Sequence, residues 1–192
     1  DAYSVNYAFN QIWAFTSVSN AWPLYTNDYI TYEGVANITT VMRLGQEPNL
    51  QGILYEEVEG SRVEEGEGMF KGSLELKKGS GIKSNLKGNY LYWVNVNLPA
   101  LTYSVHVIKT LAIVGDASDW KLENAVEFTP SKDKKTWTAK GVKVGSMIQL
   151  VANGTWDFKM SGDINSSITD ETVYNITAEF GQKSMDVATP GT

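Results

Sequence analysis

Tyr92–Val105 reads YWVNVNLPALTYSV and Tyr174–Val187 reads YNITAEFGQKSMDV, and the two lie on each other without a gap. Tyr92 meets Tyr174, Val94 meets Ile176, Leu98 meets Phe180, Thr102 meets Ser184, Tyr103 meets Met185 and Val105 meets Val187. Looser echoes surround the pair. Trp13–Trp22 (WAFTSVSNAW) answers Leu111–Trp120 (LAIVGDASDW), and Gly34–Leu44 (GVANITTVMRL) answers Gly141–Leu150 (GVKVGSMIQL). A spacing of roughly a hundred residues is too long for a solenoid and suits tandem small domains. A module repeated with aromatic-bearing loops points to binding before catalysis.

Working outward, nearly every ordered stretch reads as strand. Tyr90–Asn97 and Leu101–Ile108 alternate at period two, and Ala112–Val114, Thr136–Ala139, Ser146–Ala152 and Thr172–Phe180 are short and β-branched or aromatic. No window places apolar residues at helical spacing. Turn signals such as Lys87-Gly88-Asn89, Gly115-Asp116 and Asn153-Gly154 recur every several residues, as in sandwiches. The expected fold is all-β: two tandem antiparallel Ig-like β-sandwiches, residues 1–109 and 110–192, joined near Lys109-Thr110 with almost no linker. Tyr55–Phe70, with six glutamates and one arginine, has no counterpart in the second module and reads as a solvated acidic insertion.

Composition narrows function. The net charge of −6 argues against nucleic acid, which calls for clustered Lys and Arg. Lys132, Lys134 and Lys135 around Asp133 read as a solvated hairpin tip. Without cysteine there are no disulfides, thiolate metal sites or Cys nucleophiles. No apolar run reaches the length of a membrane helix. The glutamates, and Asp163, Asn165 and Asp170, lack the spaced ladder of a Ca²⁺ loop, so neither a metal nor a cofactor is expected. His106 is the single histidine and lies on an alternating strand, where it suits a sheet face better than a triad. A glycosidase needs a carboxylate pair on rigid elements, and these glutamates cluster in one segment. The expectation is a chain without catalytic residues.

The tryptophans are the promising set. Trp22 and Trp120 each follow a polar turn, Trp137 begins a strand after the lysine turn, and Trp156 follows Asn153-Gly154. An indole on a loop is a flat apolar platform with a polar edge, on which a pyranose ring can stack. Lys121, Asn153, Asp157 and Lys159 stand within a few residues to bond hydroxyls. The competing reading places the tryptophans in the core, as a small sandwich commonly does, and Trp13 and Trp93 on strands fit that role.

Leu111–Gly162 carries a wider resemblance. LAIVGDASDW, KKTWTAKGVKVGS and IQLVANGTWDFKMSGD, preceded by GNYLYWVNVNLPALTYSVHVI, resemble the modules of SusE/SusF-like outer-membrane lipoproteins of Bacteroidetes. The first half shares less, through NAWPLYTND and YEGVANITTVMRL. The resemblance implies tandem Ig-like sandwiches that bind starch or a related polysaccharide without catalysis. It implies a cell-surface protein beside glycan-transport partners, with membrane attachment only through an N-terminal lipid outside this chain. Carried over by position, the ligand-binding residues are Trp120, Trp137, Asn153 and Trp156, with Lys159 as a donor. Two departures stand out. Ile148-Gln149-Leu150 puts an amide where the family often has lysine, which weighs against starch. The first module has Asn49-Leu50-Gln51-Gly52 in place of Asn-Gly-x-Trp. The alternative is an Ig-like spacer or protein-interaction module that binds no sugar.

Overall fold

A computed structural model describes residues 9–77, 81–160 and, as backbone, 185–186. It is all-β and antiparallel. The first half carries β1 (Gln11–Ser17), β2 (Asn20–Tyr25), β3 (Thr31–Ile38), β4 (Val41–Gly45), β5 (Leu54–Glu57), β6 (Val63–Gly66), β7 (Met69–Leu76), β8 (Ile82–Lys83), β9 (Tyr90–Asn97) and β10 (Thr102–Val107). Eight of these close a ring in the order β1-β2-β3-β9-β10-β7-β5-β4, with β4 pairing back to β1 through Trp13↔Gly45, Ala14↔Leu44 and Phe15↔Arg43. The expected Ig-like sandwich for this half is therefore corrected to a closed barrel. Strands of both architectures alternate at period two between frequent turns, and only the β1–β4 pairing separates them. Thr39 and Thr40 carry the chain from β3 across the barrel end to β4, which gives the Greek-key order 4-1-2-3.

An eight-stranded barrel is just wide enough for its own side chains. Tyr32, Ala36 and Ile38 of β3 point inward with Tyr92, Val94 and Val96 of β9 and with Tyr103, Val105 and Val107 of β10. The hydroxyls of these three tyrosines each have a partner: Tyr32 donates to Phe9 O at 2.8 Å, Tyr92 shares a hydrogen with Ser84 Oγ at 2.6 Å, and Tyr103 donates to Glu57. The cavity beside Met42, Phe70 and Ile82 measures about 10 Å³, too small for a ligand. Where β2 meets β3 the ladder shrinks to Tyr25↔Glu33, and at Gly34 the β2 backbone lies directly on β3. A Cβ at Gly34 would stand 2.5 Å from Pro23 O.

The second half builds β11 (Leu111–Gly115), β12 (Val126–Glu127), β13 (Thr129–Pro130), β14 (Trp137–Thr138), β15 (Met147–Ala152), β16 (Lys159–Met160) and β17 (Met185–Asp186). One sheet runs β12-β11-β15-β16, with β17 also on β15, and β13–β14 is a separate hairpin. A sheet must cover its apolar face. Here Leu111, Ile148, Leu150, Ala152 and Met160 pack on outward-facing Trp93, with Val35 and Leu91 beside it. Among the described residues, the barrel wall is the second layer of this unit. Thr172–Phe180 and most of the second repeat copy lie outside the described residues.

The looser repeats do not correspond in structure. Trp13–Trp22 spans a hairpin in which Trp22 lies inside β2 and packs on the barrel core, whereas Leu111–Trp120 is one strand followed by a 3-10 turn. The lysine-bearing turn is also docked and not simply solvated: Asn37 Nδ2 donates to Lys134 O at 3.5 Å, and Asn89 Nδ2 donates to Asp133 O.

Candidate functional site

Trp120 stands at the end of a locked loop. After Gly115 the chain turns through Asp116–Ser118, and Ser118 Oγ accepts from Gly115 N and donates to Gly115 O, both at 2.9 Å. The Asp116 carboxylate accepts from Ala117 N at 2.9 Å and from Ser146 N at 2.8 Å, which ties the loop to the start of β15. It lies where a side chain at position 145 would begin, so any residue but glycine there would push this carboxylate off its bonds. Asp119 and Trp120 follow with φ of 55° and 56°. Two successive residues with side chains in the left-handed region are strained, and a bulky aromatic there is an outlier that the surrounding bonds must hold. Trp120 N donates to Gly115 O at 2.9 Å. The indole emerges 37% exposed, with Met147, itself 38% exposed, at the same end of the sheet.

Trp156 occupies the opposite end. Leu111 pairs with Ala152 and Gly115 with Ile148, so the two tryptophans flank a strand span of about 13 Å. Trp156 is 36% exposed beside a turn in which Thr155 Oγ1 donates to Asp157 at 2.9 Å. These two are the exposed members of the six tryptophans, and the structure does not bring them together.

The remaining sequence-derived positions serve the scaffold. Asn153 Oδ1 accepts from Lys109 N at 2.8 Å and Thr110 N at 3.4 Å, its Nδ2 donates to Val107 O at 2.9 Å, and its own N donates to Thr110 O at 2.9 Å. It is the clamp across the junction of the two units. Trp137 packs on the shared core and its Nε1 donates to Lys134 O at 3.3 Å. Lys159 is half-buried on β16 opposite Val151, with its neighbours Phe158 and Met160 in or against that core. Gln149 is 2% exposed and donates through Nε2 to Met160 O at 2.6 Å. An amide fits there because a lysine ammonium would have to be buried.

The sequence reading missed one polar cluster on the barrel. In the acidic segment, Arg62 Nε meets Glu57 Oε2 at 2.9 Å, and its guanidinium lies 4.4 Å from the centre of the Phe70 ring. The same Glu57 oxygen accepts from Tyr103, and burial together with this carboxylate drives the phenol pKa far up. Part of the expected solvated insertion is thus a latch joining β5, β6, β7 and β10. The lone arginine among six glutamates was its sequence signal. His106 faces outward from β10 with its ring 5.3 Å from Phe158, inside the contact between barrel and second unit. Among the described residues no three His, Asp or Glu side chains converge as metal ligands would.

Comparison of the chain with protein-family models, curated proteins and solved structures finds no match.

Proposed function

We propose that this chain is a non-catalytic carbohydrate-binding protein in which Trp120 is the sugar platform. The observation that carries this reading is the presentation of Trp120: exposed, in a strained left-handed conformation, on a loop fixed by Asp116 and Ser118. Strain held by surrounding bonds tends to mark sites of function, and a preset platform loses little entropy on stacking. Lys121, Asn124 and Ser146 lie within the loop or beside it and offer donors to hydroxyls. Trp156 and Trp120 stand at opposite ends of one sheet, so each contacts a separate stretch of glycan. A single aromatic platform contributes on the order of 1 kcal/mol, so simple oligosaccharides are expected to bind weakly, and loss of the platform should weaken them by up to about tenfold.

The likeness of Leu111–Gly162 to SusE/SusF-like modules supports the same class. With it come placement at the outer-membrane surface through a lipid outside this chain, and work beside a glycan importer. Gln149, buried and committed to Met160 O, lends no support to starch in particular. The absence of catalysis is part of the proposal, supported by His106 lying in register with Trp93 and with its ring 5.3 Å from Phe158.

A second reading, a rigid spacer or protein-docking module, is favoured by Asn153, whose amide bonds across the junction, and by Trp137, which packs on the shared core. The two separate under affinity electrophoresis in gels containing starch, xylan or mannan. Retardation that Trp120→Ala removes supports sugar binding, whereas unretarded migration in every gel supports the spacer.

A further inference from the structure

We propose that Asn153–Gly154 is a deamidation site held latent by the docked state, and that its conversion unlatches the second unit from the barrel. It is the one Asn-Gly pair in the sequence. Glycine leaves its amide nitrogen unhindered, and Gly154 is exposed, with nothing within 4 Å of the place where a Cβ would stand. In the reaction the Gly154 nitrogen attacks Asn153 Cγ, the new N–C bond closes a five-membered imide, and ammonia leaves. Water then opens either imide carbonyl to give aspartate or isoaspartate. The sum is amide plus water to acid plus ammonia, with no oxidant or reductant.

The geometry makes this reaction report on docking. Asn153 Cγ can swing onto the Gly154 nitrogen only after Oδ1 leaves Lys109 N and Thr110 N and Nδ2 leaves Val107 O. Three hydrogen bonds to break place the native rate on the order of a hundredfold below that of an unrestrained chain. Conversion is then one-way. Aspartate has no N–H for Val107 O and sets a carboxylate against that carbonyl, and isoaspartate also displaces the side chain by lengthening the backbone.

The test follows the amide-to-acid mass change at Asn153 by peptide mapping, in the full chain held in mildly alkaline buffer with and without urea. Conversion in urea roughly a hundredfold faster than in the native chain is expected, with Trp93→Ala, which loosens docking, between the two. If that variant does not fold, the comparison of native and urea-unfolded wild type stands alone. Converted native protein should lose hydrogen-exchange protection at the Lys109 and Thr110 amides, and unconverted protein from the same incubation should keep it. Equal rates with and without urea would show that nothing restrains the site. Failure to convert in urea, or full protection after conversion, would also overturn the proposal.

Discussion

The rings of Trp93 and Phe158 lie 5.5 Å apart, tilted at 60°, one on the barrel wall and the other on the second unit. Around them Ile108, Leu111, Ile148 and Leu150 form a core that belongs to neither half alone. Trp93→Ala should therefore destabilise the second unit more than the barrel interior, by about 3–5 kcal/mol. Phe158→Ala should act in the same direction, and a double-mutant cycle should give a coupling of about 0.5–1.5 kcal/mol. Denaturant melts of the two single variants and the double variant provide the check. Full additivity would mean that the rings do not support each other.

Asn153→Ala removes one donor and one acceptor from the junction and leaves Val107 O, Lys109 N and Thr110 N without their partner. A loss of about 2 kcal/mol is expected, against less than about 0.5 kcal/mol for neighbouring Trp156→Ala. Chemical denaturation ranks the two. An Asn153→Ala variant as stable as wild type would remove the clamp from this account.

Glu33 sits opposite Asn95, whose Nδ2 donates to it, yet burial dominates and raises the carboxyl pKa above the usual glutamate value. The folded state then holds this proton more tightly than the unfolded chain does. Its contribution to stability is present below the ordinary glutamate range and is lost as pH rises through the raised value. Glu33→Gln should stabilise the protein at neutral pH and flatten the fall in melting temperature between mildly acidic and neutral pH. An unchanged profile in the variant would assign that pH dependence to other groups.

At Gly34 the β2 backbone lies where any side chain would begin, with Pro23 O and Leu24 as the obstacles. Gly34→Val should force β2 off β3, open the barrel and cost at least about 2 kcal/mol. A melt of Gly34→Val that coincides with wild type would contradict the closure described for this seam.

Part of this was legible in the sequence. Tyr90–Asn97 announced a strand by alternation, and the structure returns the same bounds. Two apolar runs abut near Lys109 in the sequence, and there β10 ends at Val107 and β11 begins at Leu111. Barrel closure was not readable, since it depends on β4 returning beside β1 and on the bare Cα of Gly34, both long-range facts. Trp93 and Leu91 on the outward side of β9 did hold a clue: two large apolar side chains on a wall that should face water call for a covering layer. Among the site residues, exposure of Trp120 and Trp156 followed from their turns. Trp137 also follows a turn, yet it packs on the shared core, and the polar atoms of Asn153 bond across the fold to Val107 and Lys109, which spacing along the chain does not encode.

The direct test of the functional account is a tryptophan-fluorescence titration with a chemically varied panel of oligosaccharides on wild type, Trp120→Ala and Trp156→Ala. The account predicts a saturable change for at least one glycan in wild type and a roughly tenfold weaker response in Trp120→Ala with the fold retained. Flat titrations of wild type across the panel, or an unaltered affinity in Trp120→Ala, would contradict it.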